Sequence, residues 1–194
     1  MEKAGFDGIE LHGAHGYLLS SFLNPKTNLR DDEYGGDAVR RFRIIREIIE
    51  SIRQRVSPSF VVGIKLNSSD YCQGGQTEED ALQNVQWLAE MRMVDFVEVS
   101  GGSYEAPAMQ GDARDGRTLA REAYFLDFAR DVAAVARMPV MVTGGIRRIG
   151  VVQQVLDSGV AIAGIATALA IRPDLPNAWR RGEDLRPEVA PIRW

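Results

Sequence analysis

The chain has 194 residues, 45% of them hydrophobic and 26% charged, with a net charge of −4 and a pI near 5.3. An acidic balance argues against a nucleic-acid footprint, which calls for a basic face, and leaves a small molecule as the expected partner. Cys72 is the sole cysteine, which excludes an internal disulfide, a four-thiolate iron–sulfur cluster and a cysteine-based zinc site, and fits a cytoplasmic protein.

The opening MEKAGFDG has no long apolar run, and no segment approaches the ~18 apolar residues of a membrane helix, so neither secretion nor a membrane is expected. Short Val- and Ile-rich runs then alternate with longer stretches of helical spacing, the pattern of a parallel α/β protein. The first strand is expected over residues 6–12 (FDGIELH), followed by an unusually long polar loop and a helix over 38–56. That helix should bury Ile44, Ile45, Ile48 and Ile52. The second strand is FVVGIKL (60–66), followed by the loop NSSDYCQGGQ and a helix over 77–91, where Thr77 and Asp80 have the spacing of a capping box. The third is VDFVEVS (94–100), with a long loop and a helix over 121–136. The fourth is PVMVTGG (139–145), with a short helix to about 158. The fifth is AIAGIATAL, leading to a last helix around 173–181. No composition break divides these units, so residues 1–194 read as a single domain. A doubly wound open sheet and a (β/α)8 barrel both fit. Five units match the later part of a barrel, which takes about 250 residues when complete.

The informative residues fall just after strand ends, where α/β proteins hold their ligands. HGAHGY contains both histidines of the chain, His12 and His15, with Tyr17 beside them. Two neutral imidazoles can donate to one carbonyl, phenolate or nitro oxygen, and a phenol can protonate a carbanion next to it. A pair of surface or satisfied core histidines is the plainer alternative. A zinc site is another: the i, i+3 spacing lacks the i, i+4 register of a helical HExxH motif, and a third ligand would have to be a carboxylate. Gly144 and Gly145 end the fourth strand and a small-residue turn, Gly164 to Thr167, ends the fifth; such turns either cradle a phosphate or serve as ordinary βα turns. Lys65, in an otherwise apolar strand, should reach solvent or meet an anion. Arg40, Arg41, Arg43, Arg114, Arg117 and Arg121 read as salt-bridge partners.

Taken together, AGFDGIELHGAHGYLLSSFLNPKTNLRDDEYGG (4–36), GIKLNSSDYCQGG, VEVSGGSYE, REAYFLDFA, VMVTGGIR and PDLPNAW resemble the old yellow enzyme family of flavin-dependent ene reductases, in its NADH:flavin oxidoreductase or NADH oxidase-like subgroup. The resemblance covers nearly the whole chain. It implies a TIM barrel holding FMN at its mouth, with NADH or NADPH as hydride donor and an activated alkene as acceptor. In that scheme His12 and His15 bind the substrate's carbonyl or nitro oxygen, Tyr17 protonates the α-carbon, and Lys65 faces the flavin N1 and C2 oxygen. Gly144 and Gly145 fall on the phosphate loop. The final phosphate anchor of the family is Gly or Ala followed by Arg; here it reads Ala166-Thr167, without the guanidinium.

In the family the histidine motif follows the fourth strand, whereas here it begins at residue 12. The chain is therefore expected to be a partial barrel, about five βα units corresponding to strands 4 to 8, with two open sheet edges and an unclosed apolar interior. Impaired activity is expected of such a chain. The alternatives are a non-catalytic barrel fragment that self-associates into a homo-oligomer or completes another chain, and a phosphate-binding isomerase or aldolase without a redox cofactor.

Overall fold

Five parallel strands pair in the order in which the chain makes them. β1 (Gly8–Gly13), β2 (Val61–Asn67), β3 (Phe96–Ser100), β4 (Val140–Val142) and β5 (Ile162–Ala163) form one sheet in the computed structural model, which describes residues 1–103, 105–106 and 122–188. Between them run α1 (Leu18–Leu23), α2 (Ala38–Arg53), α3 (Glu78–Met91), α4 (Leu126–Val135) and α5 (Ile149–Asp157), and after them α6 (Thr167–Ile171) and α7 (Leu175–Arg180). A doubly wound sheet reverses its strand order part-way; this one does not. Sequential order with right-handed crossovers sends every connecting helix to the same side of the sheet.

The core obeys that rule. Strand residues Ile64, Leu66, Val97, Val99, Val140 and Val142 pack with Ile45 and Ile49 of α2, Val85 and Leu88 of α3, Val132 of α4 and Val155 of α5. Ile45, Ile49, Ile64 and Leu88 are fully buried, each stabilising the fold by roughly 1.5–3 kcal/mol relative to an exposed side chain. In α2 the buried face is Phe42, Ile45 and Ile49, whereas Ile44, Ile48 and Ile52 are half-buried. The expected isoleucine stripe is thus rotated toward the Phe42 side, because the bulky ring packs against Trp87 of α3 at 5.1 Å and sets the helix's rolling angle. The Thr77–Asp80 capping box forms as expected.

Opposite the helical layer the period-2 alternation of the strands presents Glu10 and His12 on β1, Lys65 on β2, Glu98 on β3 and Met141 on β4. The expectation of an apolar interior is therefore corrected: half of the strand residues on that face are polar or charged, and Asn67, Glu98 and Ser100 are buried there. Apolar groups do flank this face, with Phe96 lying over Gly63 and Ile162 40% exposed on β5. Among the described residues β1 and β5 each pair on one side only, leaving two sheet edges. No helix of the described residues is long and apolar enough to cross a membrane.

The loop between β1 and α2 has an internal scaffold that its polar sequence did not reveal. It contains α1, and Asn28 donates to the carbonyls of Phe22 and Tyr34, both at 2.7 Å. Arg41 is buried and donates to the carbonyls of Leu23 and Gly36, with Asp80 at 3.9 Å. Arg40 pairs with Asp37, and Arg43 with Glu33 and Glu47, as salt-bridge partners. Arg114, Arg117 and Arg121 lie outside the described residues.

Candidate active site at the strand ends

The histidine motif forms a tight turn between β1 and α1. Ala14 is fully buried, His15 and Gly16 both take left-handed backbone conformations (φ 63° and 77°), and the Gly16 N–H donates to Ser20 Oγ of α1. Tyr17 is the N-cap residue just before α1, its N–H donating to the Ala14 carbonyl at 3.2 Å. This turn brings three rings together: His12 lies 5.2 Å from His15, edge to face, and 5.0 Å from Tyr17.

His15 is held from two neighbouring strands. Its backbone N–H donates to Asn67 Oδ1 at 3.0 Å at the end of β2, and its Nε2 meets Ser100 Oγ at 2.7 Å at the end of β3. Asn67 is itself fixed by donating to Asp70 Oδ1 and to the Gly102 carbonyl. Two free imidazole N–H groups, the picture drawn from sequence, are therefore reduced. Nε2 of His15 is occupied by Ser100, so Nδ1 is its remaining donor, in the tautomer where Ser100 donates to Nε2. Burial, then the neighbouring His12 and Lys65, push the His15 pKa down to about 4. Burial lowers that of His12 as well, with Lys65 adding to the effect. Both rings are thus neutral at physiological pH.

Lys65 pairs in register with His12 on one side and Glu98 on the other. Its ammonium lies 3.0 Å from Glu98 Oε1, so the anion it meets within the fold is a buried carboxylate. Glu10 hydrogen-bonds the same Glu98, and burial together with that contact raises its pKa to about 7. Neither glutamate stood out in the sequence. The signal was there in the alternation GIELH and FVEVS, which sets Glu10 beside His12 and Glu98 beside Ser100 on one face.

Gly144 and Gly145 have φ of 114° and 73°, and a Cβ on Gly145 would lie 2.5 Å from the Tyr124 ring. Packing alone therefore demands glycine here. The turn after β5 adjoins it, with Thr143 Oγ1 at 3.4 Å from the Gly164 carbonyl; Ala166 and Thr167 are exposed. Beside this pair of turns the buried carboxylate of Glu122 accepts Arg147 at 3.2 Å and Arg148 at 2.8 Å, with Arg186 at 3.8 Å. Sequence reading missed this cluster, which carries more positive than negative charge. A cavity of about 420 Å³ lies away from all of these groups, between the 31–33 acidic run and Arg40 and Arg43 of α2.

The sequence profile of the NADH:flavin oxidoreductase / NADH oxidase family matches residues 1–185. The chain belongs to that family. It is 43% identical over 148 residues to the NADH-dependent flavin oxidoreductase nadA of Aspergillus parasiticus, covering 76% of this chain and 33% of that one. It is 32% identical over 203 residues to the 4,4'-dithiodibutanoate disulfide reductase of Rhodococcus erythropolis, covering 91% of this chain and 50% of that one. Among solved structures, 2-naphthoyl-CoA reductase superposes with a TM-score of 0.84 at 26% identity, covering 93% of this chain and 27% of the other. The old yellow enzyme homologue of Zymomonas mobilis shares the fold, with a TM-score of 0.73 at 22% identity, covering 97% of this chain and 50% of the other. The chain thus spans between a quarter and a half of the length of these relatives. The old yellow enzyme resemblance read from the 4–36 segment is borne out at the level of the family.

Proposed function

We propose that this flavin oxidoreductase family member carries an FMN-dependent site that uses NADH or NADPH to reduce activated alkenes, on five βα units corresponding to strands 4 to 8 of a (β/α)8 barrel. The observation that carries the reading is the joining of His12, His15 and Tyr17 in one turn beside Lys65. Sequential strand order and a charged face opposite the helices support the barrel assignment.

The residues present suit a flavin mononucleotide in charge and in backbone shape. Lys65 offers a fixed ammonium on the face that also carries His12, and the turns at Gly144, Gly145, Ala166 and Thr167 offer backbone N–H groups for a phosphate. When bound, FMN would relay a hydride from the nicotinamide to the alkene. His12 and His15, both neutral, donate to the carbonyl or nitro oxygen and polarise the double bond. Tyr17 delivers its phenolic proton to the α-carbon and regains one from water, which its 47% exposure allows. Without a guanidinium at position 167 the phosphate is held weakly, so this chain by itself is a slow enzyme.

The test is titration of the purified chain with FMN, followed by separate measurement of NADH oxidation and of cyclohexenone or maleimide reduction. Weak flavin binding with slow turnover is expected. Tyr17→Phe should slow the alkene step and spare the nicotinamide step; equal loss in both would count against the proton-donor role. Absence of flavin binding at saturating FMN would sink the reading, and a tightly flavinylated monomer with fast turnover would sink the claim of a slow enzyme. A second reading, a non-catalytic fragment that self-associates, is favoured by the open edges at β1 and β5 and by exposed Phe6 and Ile162. Sedimentation showing oligomers together with no flavin spectrum would select it.

A further inference from the structure

Asp70, in the loop after β2, is a carboxylate only 1% exposed. Both of its oxygens accept: Oδ1 from Asn67 Nδ2 at 2.7 Å, and Oδ2 from the Gln76 N–H at 2.9 Å. Burial pushes its pKa up while these two donors act to hold it down, and no cation contributes. A buried charge without a counterion is costly, and stability alone would favour a neutral residue here. The loop nevertheless closes around it: the Asp70 N–H donates to the Gln76 carbonyl at 3.1 Å, and Gln76 Nε2 returns to the Asn67 carbonyl at 3.2 Å. Asparagine at position 70 could not stand in, because its amide nitrogen would set donor against donor at one of the two contacts.

The carboxylate decides which way round the Asn67 amide sits. Asn67 Nδ2 meets two acceptors, Asp70 Oδ1 and the Gly102 carbonyl at 2.9 Å, so Asn67 Oδ1 is left to accept the His15 N–H at 3.0 Å. Turned over, the amide would set its NH2 against an N–H and its oxygen against two oxygens. His15 is the residue that needs such a hold. Its φ of 63° is uncommon outside glycine, and relaxation to a commoner conformation would carry the ring away from Ser100 Oγ, which lies 2.7 Å from Nε2. We propose that Asp70 is a positioning residue for His15, acting through Asn67: it fixes the amide, the amide fixes the left-handed turn, and the turn keeps Nε2 on Ser100 and leaves the Nδ1 N–H for a substrate oxygen. Asp70, Asn67 and Ser100 are each 2% exposed or less, so water has little access to replace a partner once it is lost. The catalytic part of this role rests on the reading of His15 as an oxygen-binding ring; the positional part does not.

The experiment is nitrogen-15 NMR of the full chain without flavin, reading the ring tautomer and the amide exchange of His15. The chain has two histidines, and His12→Gln identifies the signals of the other. In the parent the His15 ring should be a single tautomer protonated on Nδ1. Asp70→Asn should move its ring nitrogens toward the mixed tautomers of a free imidazole and speed exchange of the His15 amide about tenfold or more. Ile45→Ala, which loosens the core elsewhere, should leave the tautomer in place. Asn67→Ala should reproduce the effect of Asp70→Asn, and adding Asp70→Asn to it should change nothing further, because the path is already cut. Mixed tautomers in the parent, an unchanged ring in Asp70→Asn or Asn67→Ala, an equal change in Ile45→Ala, or additive changes in the double variant would each overturn the inference. Should Asp70→Asn fail to fold, the parent and Asn67→Ala still decide it. In turnover, Asp70→Asn should lower kcat/KM for cyclohexenone about tenfold while the affinity for FMN stays within about twofold; a loosened ring with unchanged kcat/KM would overturn the catalytic part. If the parent neither binds FMN nor turns over, the flavin reading has failed, and the NMR result alone decides whether Asp70 positions His15.

Discussion

Substituting Glu10 by glutamine should make the protein markedly more acid-sensitive, by exposing a penalty that Glu10 partly cancels in the parent. His15 titrates at about 4 in the fold and near 6.5 in an unfolded chain. Between those values the unfolded state binds a proton that the folded state refuses, so stability is full above about 6.5 and falls as the pH drops toward 4. Two and a half units correspond to roughly 3 kcal/mol at most. Glu10 works the other way: it titrates at about 7 in the fold against 4.5 unfolded, so the folded state binds the extra proton and stability rises as the pH falls from 7 to 4.5. Its side chain is only partly withdrawn from solvent, which reduces its share to roughly 1–2 kcal/mol. The parent should therefore lose about half as much stability as Glu10→Gln between about pH 6.5 and 4.5, and His15→Gln should gain. Urea unfolding followed by tryptophan fluorescence, with the midpoint read at several pH values, measures all three. Buried Asp70, whose pKa is also raised by burial, is common to the three proteins and cancels in the differences. Parallel midpoint curves for parent and Glu10→Gln, or an unchanged slope in His15→Gln, would refute the reasoning.

Three further outcomes follow from the packing. Ile45→Ala, at a fully buried position, should cost about 2–5 kcal/mol, whereas Ile52→Ala, half-buried on the same helix, should cost clearly less; denaturant titration separates them. Gly145→Ala meets both a positive φ and the Tyr124 ring, and a loss of about 1–3 kcal/mol is expected, relieved in part by Tyr124→Ala. Ser100→Ala frees Nε2 of His15, and should weaken alkene binding several-fold while leaving the affinity for FMN within about twofold, read from KM and from flavin titration.

The strands and long helices were legible because their spacing is strongly periodic, and the capping box at Thr77 because it is a local hydrogen-bond pattern. The strand ends were less so: β4 covers Val140–Val142, and although the Thr143 N–H still donates to the Val99 carbonyl, Gly144 and Gly145 turn the chain away with positive φ. The roll of α2 depended on Phe42 meeting Trp87, two residues 45 positions apart, which no local pattern encodes. Separation in sequence likewise hid Ser100 as the partner of His15 and Glu98 as the partner of Lys65. His12, His15 and Tyr17 could be found because one short turn supplies all three. The polar character of the open face was readable in principle from alternation in two strands, but only once their register made Glu10, Lys65 and Glu98 neighbours.

The left-handed backbone of His15 sets a conflict between two kinds of selection. A non-glycine residue at φ 63° costs on the order of 1 kcal/mol, and asparagine or glycine would bear that conformation more easily. Variants chosen only for resistance to heat or denaturant should drift away from histidine at this position, and variants chosen for turnover should keep it. The residue thus marks a place where evolving the protein for robustness and evolving it for chemistry pull the same codon in opposite directions.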